Sequence, residues 1–269
     1  MKTLLIDAGN SSLKWAMLDG DMLLKQTSIG YADRTPVQVI KEVLKAHQGD
    51  CNSLLMVTVL GRDFVSKTKG LAADNSIDFN NIESKQELAG IKNAYLQAHK
   101  LGADRLVGMI AAYDLLKVSN SENKAFIVID SGTATTVDAV NKDGEHLGGV
   151  IMPGLNLCTD SLLKNTKLLP LWNKAYQDFK PDCFCKETTQ AIASGSLIGL
   201  AGAIDGICLK MEKEMLVNEY KQKVGINKII CGGNANKLIP HLGLDYQLQD
   251  DLLMQGLKVI HNGFLVPTQ

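Results

Sequence analysis

Two similar stretches of sequence decide the fold: LLIDAGNSS at residues 4–12 and IVIDSGTAT at residues 127–135. Each is an apolar run that ends in an aspartate, followed by a spacer, a glycine and small hydroxyl or amide residues. The two aspartates, Asp7 and Asp130, are 130 − 7 = 123 residues apart, nearly half of the 269-residue chain. A repeat of so long a period predicts two related halves rather than a solenoid.

The periodicity outside the repeat alternates between strand and helix, which predicts an α/β fold. A polar segment at residues 119–124 is the best linker candidate, so we expect domains at residues 1–118 and 119–269. Apolar runs predict strands at residues 3–6, 15–18, 54–60, 126–129, 147–152 and 228–231. Helical spacing predicts helices at residues 37–47, 105–116, 189–216 and 252–263.

The long helix predicted at residues 189–216 contains glycine at positions 195, 199, 202 and 206. Each interior glycine destabilises a helix by about 1 kcal/mol relative to alanine. We expect close packing of this helix against another helix or a sheet, and the same stretch is a candidate contact between two copies of the chain.

Composition excludes several classes of protein. Lys and Arg number 28 against 29 Asp and Glu, a net charge of −1, and aromatic residues make up 5%. Neither value favours a nucleic-acid partner. Asp7 interrupts the first apolar run, and no run approaches the roughly 18 apolar residues of a membrane span, so we expect a cytoplasmic protein without a membrane partner. The six cysteines are irregularly spaced, which favours free thiols over disulfides or a metal site.

The repeated turns have a chemistry of their own. A glycine after the aspartate lets backbone N–H groups approach a ligand, and hydroxyls add donors, which suits phosphate oxygens. The aspartate can hold a cation or its waters beside them. A tight turn without a ligand is the alternative, although two copies in matching contexts favour phosphate binding. A strand predicted before Gly232-Gly233 could present bare backbone to adenine or ribose, or could end in a plain turn.

Five stretches together resemble the type III pantothenate kinases, within the group of acetate and sugar kinases, Hsp70 and actin. They occur in the family's order: DAGNS at residues 7–11, GADR at 102–105, DSGTATT at 130–136, GGVIMPG at 148–154 and ASG at 193–195. The chain departs from the family's pattern at Gln97-Ala98, where Asn-Pro is common, and at Ser11, where threonine is commoner.

The resemblance implies two ribonuclease H-like domains with ATP in the cleft between them. It implies ATP-dependent phosphorylation of pantothenate, the first step of coenzyme A synthesis, by a homodimer that needs Mg²⁺ and a monovalent cation, K⁺ or NH₄⁺. It also implies the roles of individual residues. Asp104 would be the catalytic base, Asp7 would hold Mg²⁺ through phosphate or water, and Asp130 would lie at the monovalent cation. The ATP-binding residues would be Asp7, Ala8, Gly9, Asn10, Ser11, Ser12, Lys14 and Thr133. The pantothenate-binding residues would be Tyr95, Gly102, Ala103, Asp104, Arg105 and Thr188, the last reaching the partner subunit's site.

Other interpretations remain open. Asp104 and Arg105 also suit the start of a helix, where an aspartate lies near the positive end of the dipole. The chain could be a kinase for another small hydroxyl compound, or a non-catalytic accessory or regulatory protein of the same fold.

Overall fold

A computed structural model of the protein describes residues 2–119, 124–165, 180–218 and 225–264. The predicted linker falls mostly outside these residues. The strands are β1 (Lys2–Ala8), β2 (Ser12–Asp19), β3 (Met22–Leu23), β4 (Thr27–Gly30), β5 (Ser53–Thr58), β6 (Asp78–Ile82), β7 (Glu87–Leu88), β8 (Ile91–Lys92), β9 (Phe126–Ser131), β10 (Ala134–Val140), β11 (His146–Pro153), β12 (Asn227–Cys231) and β13 (Gln247–Leu248). The helices are α1 (Pro36–Ala46), α2 (Gly61–Asp74), α3 (Ala103–Val118), α4 (Leu155–Asn165), α5 (Thr188–Asn218), α6 (Ala235–Leu238) and α7 (Leu252–Phe264).

The first sheet is built around β1. Its strand order is β3-β2-β1-β5-β6, with β4 paired to β2. β1 runs antiparallel to β2 and parallel to β5, and β5 runs parallel to β6. The interior of β1 is apolar on both faces, as parallel strands require when both faces are covered.

The second sheet repeats this topology around β9. Its order is β11-β10-β9-β12-β13, with β9 antiparallel to β10 and parallel to β12, and β12 parallel to β13. Asp7 is the second-to-last residue of β1, and Asp130 is the second-to-last residue of β9. The sequence repeat is therefore a structural repeat, and the predicted α/β fold is confirmed.

Contacts divide the chain into two compact units. Unit 1 comprises residues 1–122, 143–147 and 251–269, and unit 2 comprises residues 123–142 and 148–250. The chain leaves unit 1 near the predicted boundary, but α7 returns to it. α7 packs closely on α3, where Val107 occupies the space that a side chain at Gly256 would need. Thr3 Oγ1 and His261 Nε2 are also 3.0 Å apart. The boundary at residues 118 and 119 itself stays a prediction.

Most of the long strands and helices lie where periodicity predicts them, whereas α2, α4, β6 and β10 were missed. α2 begins at Gly61, which has φ +82°, and only three of its side chains, Phe64, Thr68 and Ala72, are buried. So few apolar positions leave too weak a periodic signal to predict the helix.

The glycines of α5 do not pack closely within the chain, contrary to the first expectation from the sequence. All four are exposed, and no described atom lies within 4 Å of a Cβ placed on any of them. α5 is also long and apolar enough to cross a membrane by length and composition. However, its inner side packs into the core of unit 2 through Leu197, Ala201, Ile204 and Cys208, as expected of a core helix in a soluble fold.

Candidate active site

The turn between β1 and β2 is held by backbone hydrogen bonds. The Gly9 amide donates to the Ser12 carbonyl at 3.1 Å, and the Tyr31 amide donates to the Ser11 carbonyl at 3.2 Å. The Tyr31 hydroxyl donates to the Gly9 carbonyl at 2.9 Å. Burial, and then the charge of Asp7, raise the pKa of Tyr31, so this hydroxyl stays protonated and remains a donor. The turn is therefore rigid, while Asn10 and Ser11 at its tip are exposed.

Asp7 and Lys14 lie directly opposite each other on the two strands that leave this turn. Their side chains form an ion pair, with Lys14 Nζ 3.9 Å from Asp7 Oδ2. The Asp7 side chain is 11% exposed and the Lys14 side chain 23%. Lys14 therefore places a positive charge beside this nearly buried carboxyl group. The predicted neighbours Ala8 and Ser12 complete the strand ends, and the Ala8 carbonyl accepts from the Thr58 hydroxyl at 2.8 Å.

The turn between β9 and β10 is held in a similar way. The Gly132 amide donates to the Ala134 carbonyl at 3.0 Å, and the Gly154 amide donates to the Thr133 carbonyl at 3.0 Å. Asn234 Nδ2 donates to the Gly132 carbonyl, also at 3.0 Å. A Cβ at Gly154 would collide with the carbonyls of Gly132 and Thr133. Gly154, the last residue of the GGVIMPG stretch, therefore has to lack a side chain so that its backbone can approach the turn between β9 and β10.

Gly232 makes room for oxygen atoms beside Asp130. It has φ +94°, and a Cβ on it would collide with Asp130 Oδ1 and lie 2.6 Å from the Ser131 carbonyl oxygen. A carboxylate oxygen and a carbonyl oxygen therefore pack against the backbone of Gly232, and oxygen is the ligand type that a hard cation takes. The space beside Gly232 is filled by other atoms of the chain and is not open to a flat ligand. Beside Gly233, in contrast, no described atom lies within 4 Å of a Cβ placed on that residue.

A divalent cation at this site would be bound by few protein side chains. Within the described residues, no three His, Cys, Asp or Glu side chains lie together as a metal site. Asp7 offers a single buried carboxylate, which fits Mg²⁺, since this ion usually keeps several waters and binds one or two carboxylates together with substrate phosphates. The donor sets at Asp7 and Asp130 are therefore compatible with the cations predicted for them.

The GADR stretch forms the start of α3. Gly102 precedes the helix, and the Arg105 amide donates to Asp104 Oδ1 at 2.8 Å. A Cβ at Gly102 would lie 2.5 Å from the same oxygen, so the absent side chain makes room for the carboxylate. Asp104 is thus fixed in the first turn of the helix, where the dipole favours its negative charge. The helix start predicted as an alternative is present, and it holds the predicted catalytic carboxylate in place.

Arg105 and Tyr95 form a pair beside Asp104. Arg105 is only 8% exposed, its Nη1 donates to the Tyr95 hydroxyl at 2.9 Å, and its guanidinium carbon lies 5.7 Å from the Tyr95 ring centroid. The rings of His146 and Tyr95 are also stacked, with their centroids 6.1 Å apart. Asn93 Oδ1 accepts the Tyr95 amide at 2.9 Å. Two of the predicted substrate residues are therefore in contact and rigidly held.

Thr188 lies in a different setting from the other predicted site residues. It is the first residue of α5 in unit 2 and is exposed. Gly195, Gly199, Gly202 and Gly206 follow it at intervals of seven, four, three and four residues. Each interval is close to a whole number of helical turns, so Thr188 and the four glycines share one face of α5.

Three supporting residues were not predicted from the sequence. Tyr31 braces the first turn, Asn234 the second, and Asn93 holds Tyr95. Two of these three residues lie in a local sequence pattern from which their role could have been predicted. Asn93 precedes its partner by two residues, the spacing of an Asx turn, and Asn234 follows a double glycine at the end of a strand. Tyr31 lies in no such pattern, because it reaches the turn through β4.

A family model described as type III pantothenate kinase matches residues 3–210, more than half of the chain. Curated relatives agree. The chain is 32% identical over 272 residues to a type III pantothenate kinase of Janthinobacterium sp. (strain Marseille), covering 96% of each protein. It is 31% identical over 264 residues to one of Herminiimonas arsenicoxydans, again covering 96% of each.

Two solved structures share the fold over nearly the whole chain. A protein from Campylobacter jejuni, described as a Baf family transcriptional activator, has a TM-score of 0.57 and 21% identity, covering 96% of this chain and 97% of its own. A protein from Sinorhizobium meliloti, described as a 2-dehydro-3-deoxygalactonokinase, has a TM-score of 0.55 and 14% identity, covering 99% and 100%. With the repeated sheet topology, these likenesses confirm the two-domain ribonuclease H-like fold.

Proposed function

We propose that this chain, which belongs to the type III pantothenate kinase family, transfers the γ-phosphoryl group of ATP to pantothenate. The product would be 4′-phosphopantothenate, formed in the first step of coenzyme A synthesis. The observation that carries the proposal is the start of α3, where Asp104 is fixed by the Arg105 amide and Arg105 is paired with Tyr95. This places a carboxylate and a planar cation side by side, as transfer to the hydroxyl of an anionic substrate requires.

The two Asp-x-Gly turns are the proposed ATP-binding elements. Their backbone is held rigid by internal hydrogen bonds, so the groups at each tip can meet phosphate oxygens without first being ordered. Ala8, Gly9, Asn10, Ser11, Ser12 and Lys14 of the first turn, and Thr133 of the second, are the contacts that the family match implies. Lys14 also compensates Asp7, which lets this carboxylate lie near the phosphates as an anion.

Two cations complete the proposed site. Asp7 would hold Mg²⁺ through phosphate oxygens or water, and Asp130 with the Ser131 carbonyl would hold K⁺ or NH₄⁺. When bound, these ions supply positive charge for the phosphate oxygens of the transition state. The protein's own contribution is the placement of oxygen ligands, which at Asp130 depends on the missing side chain of Gly232.

Asp104 is proposed to accept the proton of the attacking hydroxyl. The pantothenate oxygen forms a bond to the γ-phosphorus, the bond from this phosphorus to the bridging oxygen breaks, and ADP leaves with that electron pair. Positioning and charge neutralisation supply most of the acceleration in phosphoryl transfer. A general base adds roughly 10²–10⁴-fold.

Arg105 and Tyr95 are proposed to bind and orient pantothenate. Arg105 is buried, and its partner hydroxyl fixes the plane of the guanidinium. A guanidinium presents a planar set of donors that matches a carboxylate. Gly102 and Ala103 form the backbone beside it, so the hydroxyl to be phosphorylated can lie next to Asp104.

We further propose that the enzyme is a cytoplasmic homodimer in which α5 provides the contact. Its glycine face is exposed, and no atom of the described residues lies within 4 Å of a Cβ placed on these glycines. Small side chains allow a helix from a second copy to approach closely. Thr188 lies on this same face, which would bring it to the partner subunit and supports its predicted role in the partner's substrate site.

The direct test is ATP consumption in K⁺ buffer with Mg²⁺, with pantothenate and with a panel of other hydroxyl compounds, and mass spectrometry of the products. We expect turnover that depends on pantothenate and a product heavier by one phosphoryl group. Turnover with another compound alone would instead establish a different kinase. No turnover with any compound, by protein that binds ATP, would favour the accessory function.

A further inference from the structure

His146 brings a buried ring to Tyr95 from a distant part of the sequence. It is 3% exposed, is the first residue of β11, and lies outside the five stretches that resemble the kinase family. The planes of the His146 and Tyr95 rings are 14° apart, and their centroids are 6.1 Å apart. Both values suit an offset stack of two rings, for which centroids are about 4.5–7 Å apart.

The local contacts of Tyr95 leave its ring free to turn. Its amide donates to Asn93 Oδ1 at 2.9 Å, which fixes the backbone but not the side-chain torsions. Its hydroxyl accepts from Arg105 Nη1, also at 2.9 Å, but a long arginine side chain has several torsions and can follow a moving ring. Stacking on His146 is therefore the contact that restrains the plane of the phenol ring.

The backbone that carries His146 is fixed within unit 1 by the two residues before it. The Lys92 amide donates to the Gly144 carbonyl at 2.9 Å, and Lys92 forms a β-bridge with Glu145. Gly144 has φ +78°, and a Cβ on it would collide with the Gly90 carbonyl oxygen. The missing side chain thus lets this turn approach closely, and His146 follows it in a fixed position.

The same short strand serves both partners of the stack. β8 pairs with the turn before His146 and leads directly into Asn93, which holds the Tyr95 amide. The supporting ring and the backbone of Tyr95 are therefore referred to one element of the fold. A displacement of the turn would move the support relative to Tyr95.

The position of the phenol matters because it directs Arg105. Arg105 is 8% exposed, and its Nη1 is engaged by the Tyr95 hydroxyl. The remaining donors of a planar guanidinium point in directions set by that one bond. Binding groups must be held within about 0.5 Å of their productive positions, so a small rotation of the phenol would misdirect them.

We propose that His146 is a positioning residue for pantothenate: its ring sets the plane of Tyr95, and Tyr95 sets the direction of the Arg105 donors. The inference deepens the proposed function and rests on it, because it takes Arg105 as a pantothenate-binding residue. His146 acts through Tyr95 and has no part in proton transfer or in the binding of ATP.

Steady-state kinetics of two substitutions test the ring. His146→Leu removes the flat ring, and we expect KM for pantothenate to rise about threefold to tenfold, the usual effect of losing an aromatic pair. The kcat should change little, because the lost interaction is one of binding. His146→Phe keeps a flat ring and should restore KM to within about twofold of the wild type.

His47→Leu is the matched control, because the His47 ring also contacts an aromatic ring of unit 1, that of Trp15, at 6.5 Å between centroids. Its KM for pantothenate should equal that of the wild type. A purely structural role of His146 would instead lower the amount of folded enzyme, and therefore the apparent kcat, with KM unchanged.

Two further variants test the route through Tyr95. In a chain that already carries Tyr95→Leu, His146→Leu should raise KM no further, because residues that act as one unit are not additive. Gly144→Ala should raise KM although His146 is still present, since the methyl group displaces the turn. Gly20→Ala is its control: Gly20 has φ +59°, and no described atom lies within 4 Å of a Cβ on it.

A fluorine NMR signal separates this inference from the proposed function. In full-length protein labelled with fluorotyrosine, the Tyr95 resonance is the one that Tyr95→Phe removes. It should shift in His146→Leu and in Gly144→Ala, and stay in place in His47→Leu and Gly20→Ala. If the wild type does not use pantothenate, the proposed function fails, while this signal still decides whether His146 positions Tyr95.

Four results would overturn the proposal. They are an unchanged pantothenate KM in His146→Leu, a KM in His146→Phe as high as in His146→Leu, additive effects of His146→Leu and Tyr95→Leu, and a Tyr95 resonance that is the same in wild type, His146→Leu and Gly144→Ala.

Discussion

Arg105 and Tyr95 are in contact in two ways at once. Arg105 Nη1 donates to the Tyr95 hydroxyl at 2.9 Å, and the guanidinium carbon lies 5.7 Å from the centroid of the same ring. A buried guanidinium needs such partners, because a charge without them is strongly destabilised away from water. The phenol thus fixes the direction in which the remaining Arg105 donors point.

Tyr95→Phe tests this pair, because it keeps the ring and removes the hydroxyl. We expect KM for pantothenate to rise about fivefold to tenfold, the equivalent of one hydrogen bond of about 1–1.5 kcal/mol. The kcat should change less. Steady-state kinetics measure both, with Tyr113→Phe as the control for loss of a phenol elsewhere in unit 1. An unchanged KM in Tyr95→Phe would count against an orienting role.

Asp104→Asn removes the proposed base and leaves a side chain of the same shape. We expect kcat to fall roughly 10²–10⁴-fold, with little change in ATP affinity. Stability should fall by no more than about 1 kcal/mol through the weaker interaction with the helix dipole. Asp114→Asn, on the same helix, is the matched control and should retain its rate. Near-native turnover by Asp104→Asn would overturn the base assignment.

Gly232→Ala should disrupt the proposed monovalent-cation site, whereas Gly233→Ala should not. The new methyl would collide with Asp130 Oδ1, and alanine at φ +94° is strained by about 1–2 kcal/mol. We expect a lower thermal midpoint and weaker stimulation by K⁺ relative to Na⁺. No atom of the described residues lies within 4 Å of a Cβ placed on Gly233. Equal behaviour of the two variants, or a wild-type rate indifferent to K⁺, would contradict the site at Asp130.

Gly199→Leu tests the proposed dimer contact on α5. If a second copy packs closely there, the leucine side chain should weaken the dimer by about 1–3 kcal/mol, the usual effect of overpacking. Gly70→Leu is the control, since Gly70 is an exposed glycine of α2 with similar open space. Sedimentation equilibrium measures both. A wild-type monomer, or a dimer constant unaffected by Gly199→Leu, would exclude this contact.

The cysteines should differ strongly in reactivity toward iodoacetamide. Burial raises the pKa of Cys208 to about 11 and also raises the pKa of Cys51, so at pH 8 both are thiols rather than reactive thiolates. Cys183 is exposed. Mass spectrometry should show Cys183 modified first, and Cys51 and Cys208 modified only after unfolding. Rapid labelling of Cys208 in folded protein would contradict its buried position.

Much of the fold could be predicted from local sequence. The repeat around Asp7 and Asp130 predicts two related halves because an apolar strand, an acid and a glycine turn form one local unit, which folds the same way twice. Arg105 and its neighbours are helical because their apolar spacing is strong. Because α2 has few buried positions, its apolar residues do not show a helical period from which the helix could be predicted.

The residues named for the site were also available from the sequence, because turn glycines and the GADR stretch are local patterns. The residues that contact them could not be predicted from the sequence. The approach of Gly232 to Asp130 joins β12 to β9, 102 residues away along the chain, and the hydroxyl of Tyr31 reaches Gly9 only after β4 pairs with β2.

The sequence by itself therefore determined the two turns, the helix start at Asp104 and the family. Only the tertiary structure decided that α7 returns to unit 1 and that the α5 glycines are exposed. These features depend on which distant segments pack together. The hydrophobic effect drives such packing without direction, so its outcome is set by the whole fold rather than by any local pattern.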